Sequence, residues 1–466
     1  MNKLAGIAVM ISAILASGCN SKNDNDATKP GNSQPTNVIF FLGDGMGLNT
    51  LTAARIYGVG EEGSLTIDTL PETAFIKTFS HDAQVTDSAP SMSAYMTGVK
   101  SNNGVISMNS DATYESDCSK SAGKPATTLL ELAKAAGRGT GIVTTTRVTH
   151  ATPAATYAHL CNRDLENEIA VQLVQGGAGF NPALKKGVDV VLGGGSRHFL
   201  PLADKGKRED GRNLINEMKA NGYQFVSNAD ELSKAASGKP LLGLFSSSHL
   251  KYDLDRPASE PSLTQMTLAA IKQLKSNKKG YFLMVEGGRI DHALHDTNAK
   301  RALHDTLAFD NAIKATIDEV KKSDPELKNT LIVVTADHDH TLVLNGYAKR
   351  TGKTTATNPG VLGLVKNYET GEPSKDSDGM PYTILGFGNG YNRVDGPRSS
   401  VAPLDDATVS ANDYHQEVVV KVGEIGNETH GGTDVFLSAI GQGADRFHGS
   451  LDNTAVFAKL KAVAKL

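Results

Sequence analysis

An excess of charge of one sign is missing from this chain. Lysine and arginine number 47 and aspartate and glutamate 51, a net of 47 − 51 = −4. With no global basic excess, a dedicated nucleic-acid binder is set aside and no nucleic-acid partner is expected. Cysteine is scarce, at three residues, and tryptophan is absent, which by itself decides nothing. No stretch beyond the N-terminus holds the roughly 18 consecutive apolar residues that a membrane-spanning helix needs. Internal repeats are not visible. What is present excludes a wholly disordered chain: 39% of the 466 residues are hydrophobic and 21% charged. Length alone suggests about three domains, a count that often fails for α/β enzymes. The 47 glycines predict many tight turns.

The first residues are Met1-Asn2-Lys3, followed by an apolar run from Leu4 to Ala16 and then Ser17-Gly18-Cys19. One early positive charge, a short apolar core and small residues before a cleavage point describe a secretory signal over 1–18. Leu15-Ala16-Ser17-Gly18-Cys19 resembles a bacterial lipobox, in which the cysteine is lipidated and begins the mature chain. Residues 19–36 are polar and rich in Asn, Ser, Asp, Thr, Pro and Gly, a flexible tether. The expected location is the periplasm or cell envelope, lipid-anchored to a bacterial membrane. Cys118 and Cys161 then remain, either as one disulfide, the favoured reading in an exported chain, or as two buried thiols.

The body, 37–466, is punctuated by short apolar runs rich in β-branched residues: Asn37 to Leu42, Gly139 to Thr144, Val188 to Leu192, Tyr281 to Val285 and Leu331 to Thr335. Such runs suit strands buried on both faces. Helical patterns lie between them at Ala126–Ala136, Leu263–Lys275 and His295–Lys322. The alternation predicts an α/β fold, a large central and mostly parallel β-sheet flanked by helices on both faces. From about 345 to 428 the texture turns to Gly, Thr, Asn, Ser, Asp and Pro, which predicts a surface insertion on the same domain.

Metal-ligand residue types recur just past the strand ends, where α/β sheets bind ligands: Asp44, Glu286, Asp337 and His338. Asp291 and His295 are four apart and share a helix face, a spacing that can chelate one zinc ion. His430 follows in Glu428-Thr-His-Gly-Gly. Asp339 and His340 invite the same reading but are left outside the ligand set. In Thr86-Asp87-Ser88-Ala-Pro, Ser88 falls in the first turn of a helix, where free N–H groups favour an alkoxide or a bound phosphate.

These motifs resemble those of the alkaline phosphatases, metal-dependent phosphomonoesterases, in family order and over nearly the whole mature chain. The resemblance implies that Ser88 is the nucleophile that becomes phosphorylated. It implies one zinc held by Asp291, His295 and His430, and a second held by Asp44, Asp337 and His338. A third site, usually magnesium, takes Asp44, Thr152 and Glu286. The resemblance also implies that Arg163 is the arginine that grips the substrate phosphate, with Arg147 a second choice of more structural character. His150, His292 and Asp87 flank these groups, and the two histidines leave the identity of the third metal open. Cofactors are thus two Zn2+ and one Mg2+, the substrates are phosphate monoesters, the 345–428 segment resembles a crown-like insertion, and a homodimer is expected. A phosphodiesterase or sulfatase on the same scaffold is the alternative, and a non-catalytic binding lipoprotein a more distant one.

Overall fold

A computed structural model describes residues 37–466; the readings on residues 1–36, the signal, the tether and Cys19, lie outside the described residues. Eight strands in chain order are β1 Asn37–Gly43, β2 Glu72–Lys77, β3 Gly139–Arg147, β4 Val190–Gly194, β5 Gln224–Val226, β6 Leu241–Leu244, β7 Tyr281–Gly287 and β8 Thr330–Ala336. With strands Val435–Gly441 and Gly449–Asp452 they form one ten-stranded sheet. Its order is Gly449–Asp452, β2, Val435–Gly441, β8, β1, β7, β3, β4, β6, β5. Every pairing is parallel except those of Val435–Gly441 with β2 and β8. The sheet is therefore mostly parallel, as the unbroken apolar runs predict, with one antiparallel strand that makes it mixed.

Successive strand residues face opposite sides, and β1 shows what each side meets. Phe40 lies 5.5 Å from Tyr95 of helix Ser88–Thr97, and Phe41 lies 5.8 Å from Phe309 of helix Ala299–Lys321. Helices thus cover both faces. Helix Asn453–Ala464 packs beside the first of these helices and Leu263–Leu274 beside the second. The latter buries Leu263, Met266, Ala270, Ile271 and Leu274, the 3–4 spacing of one apolar stripe. Among the described residues no helix is long and apolar enough to cross a membrane.

Two helical patterns are cut shorter than the sequence suggests. Over Ala126–Ala136 the helix is Leu129–Ala135, because Thr128 and Glu131 close a capping box that fixes its start. Over His295–Lys322 the pattern splits. His295 ends helix Arg289–His295, Thr297 takes a left-handed φ of 53°, and the Asn298 side chain accepts from Arg301 N to start the long helix. Periodicity cannot register that break, since the apolar stripe runs through both pieces.

The 345–428 segment leaves the sheet just after β8. Strand Leu342–Leu344 pairs antiparallel with Leu385–Gly390, which pairs parallel with Val418–Lys421. Cys118 and Cys161 form a disulfide with Cα atoms 5.5 Å apart. It ties the loop before helix Leu129–Ala135 to the chain two residues ahead of Arg163.

Phe309 is fully buried against the central strand. Phe309→Ala is expected to destabilise the body by about 3–5 kcal/mol, read as a fall in the urea midpoint with unchanged m-value; a shift under about 1 kcal/mol would contradict the core position given to this helix.

Candidate metal centre and nucleophile

Parallel pairing sets β8, β1 and β7 side by side with their ends level: Gly43 lies opposite both Ala336 and Gly287. Asp44, Asp337 and Glu286 therefore emerge together at the carboxyl edge. The turn after β1 needs a glycine, since Gly45 has φ +68°, and its N–H donates to Asp337 Oδ1 at 3.0 Å. Thr144 and Thr146 of β3 donate to Glu286 Oε2. Helix Ser88–Thr97 starts against this edge. Its cap is Asp87, whose carboxylate accepts from Ala89 N at 2.6 Å, and Ser88 is its first residue, 2% exposed.

The hydrogen bonds fix which ring nitrogens carry protons, and so which ones present lone pairs. His295 Nδ1–H donates to the Glu428 carbonyl, and His430 Nδ1–H to the Thr86 carbonyl at 2.8 Å. Both Nε2 atoms therefore present lone pairs. They face each other at 3.1 Å, and Asp291 Oδ1 lies 3.2 Å from one and 3.6 Å from the other. Ligands at about 2.0–2.1 Å around a tetrahedral zinc are roughly 3.3 Å apart, which matches this spacing. The same logic applies to His338. Its Nδ1–H donates to Asp339 O, and its Nε2 faces Asp44 Oδ1 at 3.3 Å, Asp337 Oδ2 at 3.4 Å and Ser88 Oγ at 3.3 Å. Ser88 Oγ also lies 3.3 Å from Asp44 Oδ1.

A third cluster sits on the other side of Asp44. Buried and without a hydrogen-bond partner there are Asp44 Oδ2, Thr152 Oγ1, Glu286 Oε1 and His150 Nδ1, and Asp337 Oδ2 is in the same condition at the second cluster. A buried polar atom left unpaired costs about 1–3 kcal/mol or more. Such a concentration of unpaired polar atoms, three of them carboxylate oxygens, is what a cation could use.

Burial drives the electrostatics. It pushes the Asp44 carboxyl well above the usual range, with Asp291 and Glu286 adding repulsion. Burial likewise raises Glu286 to about 7 and Asp337 to about 8, the latter with help from Asp44. His340 behaves oppositely. Burial disfavours its charge, but Glu428 and Asp291 outweigh that and hold it well above its ordinary value. Its Nδ1 meets Glu428 Oε2 at 2.6 Å and its Nε2 meets Asp291 Oδ1 at 2.9 Å. Ligand-atom proximity alone would count His340 among the metal ligands. With a carboxylate on each nitrogen it is an imidazolium that orients Asp291, and it has no lone pair to give. Asp339 keeps out of the clusters and accepts from Thr433 Oγ1.

Arg163 projects from the other wall. Its Nη1 lies 3.4 Å from Asp87 Oδ1 and its Nη2 3.1 Å from His150 Nε2, and its backbone N–H is fixed by Gly104 O. Arg147 is ion-paired with Glu166 at 2.7 Å, away from Ser88. The anticipated residues Asp44, Ser88, Asp87, His150, Thr152, Arg163, Glu286, Asp291, His295, Asp337, His338 and His430 thus converge. His292 lies one layer out, its ring 5.4 Å from His150.

Two residues escaped the sequence reading. Glu428, the anchor of His340, carried no signal because one glutamate beside a histidine is unremarkable. His249 packs 4.2 Å from His292 and 5.3 Å from His150. Its only trace in the sequence is the triple glycine at 193–195. A Cβ on Gly194 would lie 2.1 Å from the Ser248 carbonyl, so bare glycine is what admits the loop that carries His249.

The profile of the alkaline phosphatase family matches residues 35–466. Rat tissue-nonspecific alkaline phosphatase is 39% identical over 446 residues, covering 89% of this chain and 80% of that protein. The membrane-bound alkaline phosphatase of Bombyx mori is 39% identical over 461 residues, covering 90% and 78%. Among solved structures, the alkaline phosphatase of the Antarctic bacterium TAB5 aligns with a TM-score of 0.67 at 24% identity over 93% of this chain and 99% of that one. The Thermus thermophilus alkaline phosphatase aligns at 0.66 with 26% identity over 92% of each chain.

Raised carboxyl pKa values make the ion-free centre hold extra protons when folded. The stability they allow is present on the acid side and falls as pH rises towards 7 for Glu286 and 8 for Asp337. A divalent ion must displace those protons. The gain in Tm on adding Zn2+ to chelator-stripped protein is therefore expected to grow between about pH 5 and pH 8; a gain that is constant or shrinks over that range would contradict the cluster's electrostatics.

Proposed function

The chain belongs to the alkaline phosphatase family, and on that premise we propose that it hydrolyses phosphate monoesters through a phosphoserine on Ser88, with two zinc ions and a third metal ion at its edge. Membership makes it a phosphomonoesterase hydrolase and metal-dependent. The observation that carries the serine reading is the placement of Ser88 Oγ, 3.3 Å from both Asp44 Oδ1 and the lone-pair nitrogen of His338. A hydroxyl set among the donor atoms of such a cluster is one whose pKa a bound cation would lower.

Asp291, His295 and His430 would hold one zinc, Asp44, Asp337 and His338 the second, and Asp44, Thr152 and Glu286 a third ion, for which the resemblance implies magnesium. Such ions supply Lewis acidity that favours the serine alkoxide, neutralises phosphate charge and readies water for the second displacement. The rest falls to the chain's own groups. Ser88 Oγ attacks phosphorus, the ester P–O bond breaks and the alcohol leaves. Water then cleaves the Ser88–phosphate bond, which restores the hydroxyl and frees inorganic phosphate. Arg163 offers its planar fork to two phosphate oxygens. Asp87 stands on one side of that fork and also caps the Ser88 helix, so nucleophile and phosphate grip share one anchor. The free N–H groups at the start of that helix add partial positive charge beside the phosphate.

The N-terminal reading extends the proposal: a bacterial envelope enzyme with a signal over 1–18, a lipidated Cys19 and a tether over 19–36. A homodimer through the crown-like 345–428 insertion is part of it, and Tyr347, Val419 and Val420 are exposed there.

Ser88→Ala in the 37–466 body is expected to lower para-nitrophenyl phosphate turnover by about 10³-fold or more, and chelation to abolish wild-type turnover until zinc is restored. Undiminished turnover without the serine hydroxyl would remove the covalent step. In the full chain, radiolabelled fatty acid is expected to be incorporated in bacterial cells and lost in Cys19→Ser; equal labelling of both would remove the anchor.

A further inference from the structure

The edge of the sheet opposite the catalytic centre carries a charge of its own. Five loops feed parallel strands at their amino ends: 136–138 before β3, 185–189 before β4, 235–240 before β6, 275–280 before β7 and 322–329 before β8. They hold nine basic and three acidic side chains, a net of +6 in a chain whose net charge is −4. The three acids are already occupied. Asp189 pairs with Lys134 and Glu326 with Lys328, while Asp324 is buried and accepts from the backbone of Lys328 and Asn329. Two of the bases have local work as well. Lys185 and Lys279 donate to the carbonyls of Ala135 and Ala136, where helix Leu129–Ala135 ends, an ordinary use of lysine. Lys186, Lys239 and Lys278 have none. They are exposed and make neither a hydrogen bond nor an ion pair among the described residues.

The sheet order β8, β1, β7, β3, β4, β6 sets these loops side by side. Five strand spacings of roughly 4.8 Å make a basic row about 24 Å long. β1 lies within that row, and its first residue, Asn37, donates its N–H to Asn329 O at 2.8 Å. The preceding chain therefore joins the body between the basic loops of β8 and β7. Ser88 and the metal clusters stand at the other end of β1, seven residues along, which is roughly 23 Å away.

We propose that this basic edge docks on an anionic phospholipid surface and turns the catalytic edge away from the bilayer. The choice of a lipid partner rests on the lipidated Cys19 given above. The segment 19–36 between that cysteine and the body reaches at most about 65 Å even when fully extended. The basic row surrounds the point where this segment attaches, so it is the face held towards the membrane. Lysines within a Debye length, about 10 Å at 0.1 M salt, are drawn to the negative surface potential. Anchoring makes the encounter intramolecular, so a contact that is weak in free solution suffices. Substrate then arrives from the solvent side.

The test is flotation of the 37–466 body, which holds the whole sheet and both helix layers and carries no lipid. It is expected to bind vesicles of about 30% phosphatidylglycerol in phosphatidylcholine at about 50 mM NaCl, to leave them at about 0.5 M, and to ignore pure phosphatidylcholine. A lysine near the surface is worth about fivefold in partitioning. The combined variant Lys186→Gln, Lys239→Gln and Lys278→Gln is therefore expected to partition about 10²-fold less, with unchanged Tm because none of the three has a partner to lose. No binding to the anionic vesicles, equal binding to phosphatidylcholine, or partitioning of the variant within about threefold of wild type would each overturn the proposal. Retention on heparin without vesicle binding would overturn it too, and make the edge a site for another polyanion. Fatty-acid labelling of the full chain tests the anchor separately, since the body used here lacks Cys19.

Discussion

Three buried carboxylates held side by side are the constraint on which this structure turns. Asp44, Asp337 and Glu286 sit at the ends of adjacent parallel strands, fully enclosed. Ionised and alone, they would repel one another in a medium that screens poorly. Protonation or cations can relieve this. The protein provides for cations, because the Nε2 lone pair of His338 faces Asp44 and Asp337, and those of His295 and His430 meet beside Asp291. The sheet has to be rigid enough to keep the three acids together, and the burial of β7, β8 and all of β1 after Asn37 provides that rigidity.

The histidines are distinguished by what lies behind them. His295, His338 and His430 each donate a proton to a backbone carbonyl through Nδ1, which leaves Nε2 free. His340 has carboxylates on both nitrogens and becomes a fixed positive charge. His150 has an arginine on one nitrogen and nothing on the other. Five imidazoles within one centre thus take three different chemical parts, and residue type says nothing about which. Glu428 does much of this sorting. It charges His340 through its carboxylate and orients His295 through its carbonyl. It comes from the far end of the 345–428 excursion, so that surface segment returns to shape the interior of the site.

The fold's class and most of the site were legible in the sequence. Runs such as Val38 to Leu42 and Leu331 to Val334 are apolar at every position, a pattern that suits a strand covered on both faces. The i, i+4 pair Asp291 and His295 could be placed on one helix face, and acidic residues just past strand ends pointed to one edge. The split of the 295–322 pattern at Thr297 was not legible, because a single left-handed residue leaves the hydrophobic period undisturbed. Nor were His249 and Glu428, whose partners lie at distances in sequence that no local pattern spans.

Sequence alone therefore determined which groups were available, the sheet that would carry them and the family to which their order belongs. Tertiary structure alone decided their parts. A histidine's role is set by the atom facing each of its nitrogens, and those atoms arrive from strands, helices and loops that only folding brings within hydrogen-bond reach.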